Sequence, residues 1–401
     1  MKYLRREQPK TVSVSGGVVL PLVPSESGVP LFGIGGVLDR DGNYVPESAQ
    51  TGKGDTADRF SGSYPFDGSK VIESDEEVIY IGAFVEHWGH FLLDVANRLW
   101  IFAGEDADKD KTGEHDLGAS GRDARKVIYC SNGEKIDGVF LDFFKALGVS
   151  PDRLLRISEP TRFRKILIPE QSYMACDYYT EAYRRVFEKV KKNLDFDGLI
   201  PYEKIYLSRA HFKRAKEKEI GGDLIEENFR ANGFQSLYME ELSFREQVFY
   251  LNRAKQIAAF NGTPCHNIVF AGPETEFIVL DKTSLPNTHQ KILEEMTGCR
   301  VSYINVYREP FRHFPMSYGE GPFFLDAVFL GPWFRNRGMR FRAPSKGRRF
   351  RDFLKYTSRC ITMKGRKSAS AFYAKTYRRI SRIEWIIKPL RAIRERIAGK
   401  S

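Results

Sequence analysis

An α/β fold, with a parallel doubly wound sheet in its second half, is what this sequence predicts. Three observations lead there. Strand-like runs (Val78–Gly82, Lys126–Cys130, Lys204–Ser208, Ile257–Phe260, Glu276–Leu280) alternate with amphipathic helical stretches, the pattern of crossover connections. The 401 residues are 42% hydrophobic and 13% aromatic, enough for two packed cores and a tail besides. No G-x-G-x-x-G and no G-x-x-x-x-G-K-S/T follows any strand-like run, which disfavours nicotinamide chemistry and nucleoside-triphosphate hydrolysis.

In chain order, residues 1–70 are rich in turn residues (Gly16-Gly17, Gly35-Gly36, Asp41-Gly42-Asn43) and read as an irregular β-rich entry. A strand over 77–82 then feeds Glu86-His87-Trp88-Gly89-His90-Phe91-Leu92-Leu93-Asp94-Val95-Ala96-Asn97-Arg98-Leu99-Trp100. This stretch predicts a helix over 87–103, opening near Gly89. Residues three and four apart share a helical face, so His87, His90, Asp94 and Asn97 or Arg98 line one stripe. Phe91, Leu92, Val95 and Leu99 line the apolar one. Two imidazoles, a carboxylate and a guanidinium are expensive to bury unless paired or in use. Residues 104–125 read as a polar, glycine-containing surface loop.

Helices follow at 138–147 and 176–194, with strands at 153–157 and 165–168 between them, and Asp195–Pro201 reads as a linker. The second half continues with strands at 204–208, 236–239, 257–260, 276–280 and 300–306 and helices at 223–231, 243–254 and 288–296. Ser243 and Glu246 are spaced as a capping box. The organisation expected is a domain over 1–195, a second over 196–330 and a basic tail over 331–401.

Charge separates the tail from the body. Residues 331–401 hold 22 Lys/Arg against 3 Asp/Glu, while the whole chain is only +11, so the rest is net acidic. The tail's arginines alternate with aromatics, and Tyr373, Tyr377, Ile380, Ile387 and Leu390 recur at helical spacing. A basic amphipathic helix suits an anionic membrane surface; a solvated tail is the alternative, and nucleic-acid binding has no recognised fold to accompany it. Five cysteines without C-x-x-C spacing argue for a reducing compartment. There is no apolar signal core at Met1 and no run of about 18 apolar residues, so a cytoplasmic protein, peripheral at the inner face of a membrane, is expected.

In an open parallel sheet, ligands sit beyond the carboxyl ends of the strands. Two stretches fall there. Ser208-Arg209-Ala210-His211-Phe212-Lys213-Arg214 is a cationic loop suited to a diphosphate, or merely a solvated one. Asn261-Gly262-Thr263-Pro264-Cys265-His266-Asn267 combines a tight-turn glycine with a helical start that would offer free amides to an anion. His266 stays open between a core histidine, a base partner and a phosphate donor. Cys265 has no adjacent base and is no nucleophile candidate.

These pieces, in this order, resemble glycosyltransferase family 61, which includes plant xylan arabinosyl- and xylosyltransferases, animal protein O-GlcNAc transferases and bacterial proteins of capsule loci. The family's His-x3-Asp/Glu-x3-Arg-Leu/Ile element looks like His90, Asp94 and Arg98-Leu99 here. Its strand-end arginines look like Arg209 and Arg214, and its acidic helix start like Glu226-Glu227. Its last segment looks like Ser243-Phe244 and Gln247, then Ala254, Ile257, Asn261-Gly262-Thr263 and Asn267-Ile268-Val269-Phe270, with Pro273 after it. Asn261 stands where the family usually has histidine, and Thr263-Pro264 where it has Ala-Gly or similar. The likeness covers about residues 77–306.

What the resemblance implies is a GT-B arrangement, two Rossmann-like domains around a cleft. The enzyme would be inverting and use a nucleotide-diphospho donor, a UDP-sugar in particular, with a glycan or lipid-linked glycan acceptor of surface polysaccharide synthesis. His90 would be the base, with Asp94 as its partner or as the base itself, and His87 and Arg98 would position substrate. Arg209, Arg214, Gly262, Thr263, His266 and Asn267 would hold the donor. No cofactor and no metal is expected, and no nucleic acid. A non-catalytic, membrane-docked assembly protein that keeps the fold is the alternative.

Overall fold

Polar–apolar patterning builds two sheets. A computed structural model describes residues 2–26, 28, 31–54, 58–104, 124–311, 314–315 and 319–380, with the side chains of Asp58, of Arg214 and of residues 364–380 outside that description. The loop expected at 104–125 lies, from 105 to 123, outside the described residues, as do 381–401.

The first sheet contains β1 (Thr11–Ser15), β2 (Val18–Val23), β3 (Ile34–Leu38), β4 (Ile72–Ala83), β5 (Lys126–Cys130), β6 (Leu154–Ile157) and β7 (Thr161–Pro169), in the order β3-β2-β7-β4-β5-β6 with β1 also on β7. The four strands β7-β4-β5-β6 are parallel, and the β-rich entry adds β1, β2 and β3 antiparallel. Strand β4 begins five residues before the expected 77. Its first half is acidic and exposed, so hydrophobic patterning misses it. Glu73 and Glu77 pair instead with Arg162 and Arg164 of β7, both at 3.2 Å.

The second sheet contains β8 (Lys204–Ser208), β9 (Gln235–Tyr238), β10 (Gln256–Phe260), β11 (Glu276–Asp281) and β12 (Arg300–Asn305), all parallel, in the order β9-β8-β10-β11-β12. Ile205, Ile257, Phe277 and Val301 lie in register across it. Chain direction reverses its sideways progress between β8 and β10, and that switch point is where such sheets bind ligands. The capping box is present: Ser243 Oγ and the Glu246 carboxylate satisfy each other's backbone amides at the start of helix Phe244–Arg253.

One apolar cluster runs without a break from Ile79 and Phe91 through Phe143 and Phe187 to Leu207, Ile257 and Val279, so the sheets share a core. Trp88 sits in it, with Phe91, Phe143, Phe244 and Phe270 around its ring.

Two expectations are corrected. The helix predicted from 176 begins at Glu181, because Thr180 caps the amide of Tyr183 and the preceding residues form a small hairpin, Tyr173–Met174 with Tyr178–Tyr179. Residues 331–360 are also no free tail. Phe334 and Tyr356 are buried against the second sheet's helix Gly222–Arg230 and the strand Phe323–Leu325, the Arg342 backbone exchanges two bonds with the side-chain amide of Asn228, and Arg348 pairs with Asp223. The helix there is Lys346–Ile380. Its aromatic periodicity beyond 363 lies outside the described side chains.

Candidate active site

The helix after β4 is composite. An α-turn, Trp88–His90, opens it, a π-turn, Phe91–Val95, follows, and a 3-10 segment, Ala96–Phe102, closes it. A π-turn holds one residue more than an α-turn, so it shifts the phase of everything after it. His90 and Asp94 still meet: His90 Nδ1 lies 2.9 Å from Asp94 Oδ2. Asp94 is buried, and an ionised carboxylate only accepts. His90 therefore donates from Nδ1, and in the neutral ring the lone pair then lies on Nε2. Burial opposes the charge on Asp94, but the His90 hydrogen bond and Arg59, 4.0 Å away, hold it below its ordinary pKa.

Beyond the π-turn the phase shift rules. Arg98 is fully buried and points away from the others, its guanidinium bonded to the carbonyls of Pro169, Glu47 and Ala49. It anchors the first sheet's edge loops, and its expected place beside a substrate is corrected on this ground. Asn97 is buried as well and bonds the carbonyl of Leu93.

A cleft of about 410 Å³ lies between this helix and the switch point of the second sheet. His87, His90, Arg209, Gly262, Thr263 and His266 all line it. His87 caps the helix, its Nδ1 accepting from the amide of His90 at 3.3 Å. Its ring is held down to about 4 by desolvation and by neighbouring His90. Gly262, at φ 134°, takes a conformation closed to side chains and starts the short helix Thr263–His266. A side chain on Gly89 would come within 2.9 Å of Thr263 Oγ1 and 3.2 Å of His266 Nδ1, so the two walls meet there with no room to spare. His266 is buried with neither ring nitrogen hydrogen-bonded, and desolvation pushes its pKa well below normal.

Asn267 is the expected donor residue that the structure places elsewhere. Its Oδ1 accepts the indole N–H of Trp88 at 2.8 Å, a bond that ties the two walls together behind the cleft. The side chain of Arg214 lies outside the description. The backbone of Arg214 falls in the turn of helix Lys213–Lys216.

Several cleft residues escaped sequence reasoning, Arg59 among them. Lys282, only 5% exposed, and Arg209 both reach Glu219 Oε1, at 3.3 and 2.6 Å. Desolvation lowers the Lys282 pKa, and Glu219 works against that. Lys218 lines the same wall. His289 comes from helix Thr288–Thr297; its Nδ1 lies 2.9 Å from the Tyr173 hydroxyl, and desolvation with Arg59 nearby holds it down to about 4. Lys282 was findable, since it directly follows β11. His289 and Glu219 carry no pattern.

The arrangement sets an oriented imidazole on one wall against a cationic patch on the other. Among the described residues no group of three or more His, Cys, Asp or Glu is placed to hold a metal ion. Residues 88–278 match the model of the glycosyltransferase 61 family. No curated protein sequence matches the chain.

Proposed function

Residues 88–278 belonging to glycosyltransferase family 61, the protein is a glycosyltransferase, and we propose that it transfers the sugar of a UDP-sugar, with inversion, to a glycan acceptor. The observation that carries this is the placement of His90 and the Arg209–Lys282 patch on facing walls of one cleft. In a single displacement, the acceptor hydroxyl attacks the anomeric carbon as the bond to the diphosphate oxygen breaks. Its proton passes to His90 Nε2, and Asp94 stabilises the imidazolium that results. The charge left on the diphosphate is met by Arg209, Lys218 and Lys282, by the amides at Gly262-Thr263 and by His266. These cations stand in the role a metal fills elsewhere, so the proposed reaction is metal-independent. Two sheets whose parallel strands end at one cleft support a GT-B arrangement.

The test is turnover of a nucleotide-sugar panel by the full chain. His90→Ala is expected to lower turnover about 10²–10⁴-fold while UDP binding persists. Equal turnover in wild type and variant would remove the base from the scheme; no turnover with any donor would favour the non-catalytic assembly protein.

Surface polysaccharide synthesis on a lipid-linked acceptor is the setting proposed, at the cytoplasmic face of a membrane. Among the described residues no helix is long and apolar enough to cross a membrane. Support for a peripheral position comes from helix Lys346–Ile380, where Phe350, Leu354 and Ile361 lie on one face at 64%, 51% and 68% exposure beside Arg351 and Lys355. Replacing the three by Asp should abolish sedimentation with anionic vesicles and leave neutral vesicles unbound throughout.

A further inference from the structure

A second pocket, of about 350 Å³, adjoins the cleft. Arg209, Ala215 and Glu219 line both. Its other walls come from the second half alone, at Ala210, Asp223 and Glu226, and from Arg351, Asp352 and Lys355 of the C-terminal helix. That helix lies outside the stretch matched by the family, 88–278.

A nucleotide-sugar is linear: sugar, diphosphate, nucleoside. If the diphosphate sits at Arg209 and the anomeric carbon beside His90, the nucleoside must lie on the side of Arg209 away from His90. The second pocket occupies that side, and no residue of the first half lines it. The charges agree. The cleft carries Arg59, Arg209, Lys218 and Lys282 against Glu219. The second pocket balances Lys216, Arg209, Arg351 and Lys355 with Glu219, Asp223, Glu226 and Asp352, a poor host for phosphates and a good one for hydroxyls and ring N–H groups.

We propose that this second pocket binds the ribose and base of the donor, and that the basic C-terminal helix, through Arg351, Asp352 and Lys355, is its selecting wall. The inference rests on the donor reading above. Arg348 holds the wall in place, bonded to Asp223 and 4.0 Å from Asp352. Glu226 is buried and fixed by Ser208 Oγ at 2.6 Å and the Tyr238 hydroxyl at 3.2 Å, which shapes the pocket floor.

The experiment is calorimetric titration of the full chain with inorganic pyrophosphate, UDP and GDP. Wild type should bind UDP at least about tenfold more tightly than pyrophosphate. Ala210→Trp fills the pocket from an exposed position. It, and the exposed-site double variant Arg351→Ala/Lys355→Ala, should erase most of that advantage and leave pyrophosphate binding unchanged. Arg209→Ala should weaken both ligands together. If pyrophosphate binds and the UDP advantage is absent in wild type, or survives both pocket variants, the nucleoside lies elsewhere and the inference is overturned while the diphosphate site stands. If neither ligand binds wild type, the donor reading itself fails and takes this one with it.

Discussion

The two walls of the cleft are made by different means. One is a single contiguous stretch, in which His87, His90 and Asp94 are brought together by two successive helical turns. The other gathers Arg209, Glu219, Gly262, His266, Lys282 and His289 from separate segments, through the parallel order β9-β8-β10-β11 and the helices around it. A contiguous wall is fixed by local periodicity and fails only where that periodicity changes. A gathered wall depends on the whole sheet.

The comparison breaks most visibly at Arg98, which belongs to the first wall's stretch but not to the wall. Arg98→Met leaves three carbonyls, two of them buried, without their donor and should cost about 3–5 kcal/mol of stability, read by denaturant unfolding. Activity per folded molecule should be nearly unchanged. A drop in turnover without a drop in stability would return Arg98 to the substrate.

The gathered wall should show itself in acid. His289, largely buried, titrates at about 4 in the folded protein against about 6.5 unfolded. Between those values the unfolded chain holds the extra proton, so stability rises with pH there and is lost as pH falls from 6.5 towards 4, by at most about 3 kcal/mol. His87 is displaced the same way, but it sits exposed at the rim and adds less. In His289→Gln the loss over this window should shrink; an unaltered pH profile would show that His289 is not what titrates.

The smallest effect is expected where the walls touch. Gly89→Ala puts a methyl against Thr263 and His266 and should cost about 1–3 kcal/mol through a shift of one wall. Thermal unfolding measures it, and Gly89→Ala combined with Thr263→Ala or His266→Ala should not be additive.

Legibility followed the same division. The strands β5 and β8 were readable to the residue, because buried parallel strands are short unbroken apolar runs. The His90–Asp94 pair was readable because i and i+4 stay adjacent even where an α-turn passes into a π-turn. Arg98 was misplaced because nothing in 91–95 announces the π-turn: its five residues are those of an ordinary amphipathic helix. Asn267 was misplaced because a polar residue at a strand-end turn looks alike whether it faces a ligand or a tryptophan from the other wall. The C-terminal segment was set apart by its charge, and charge density does not reveal that Phe334 and Tyr356 bury a face of it.

By itself the sequence determined the alternation of strands and helices, the switch point that follows from it, and the imidazole–carboxylate pair, all of which depend on spacings within one element or on connection rules. Only the tertiary structure decided that Lys282 and Arg209 share Glu219, that His266 and His289 join His90 at one cleft, and that the C-terminal helix walls a second pocket. Those contacts join residues from ten to about two hundred positions apart, and local periodicity holds no information about which distant surface a side chain will meet.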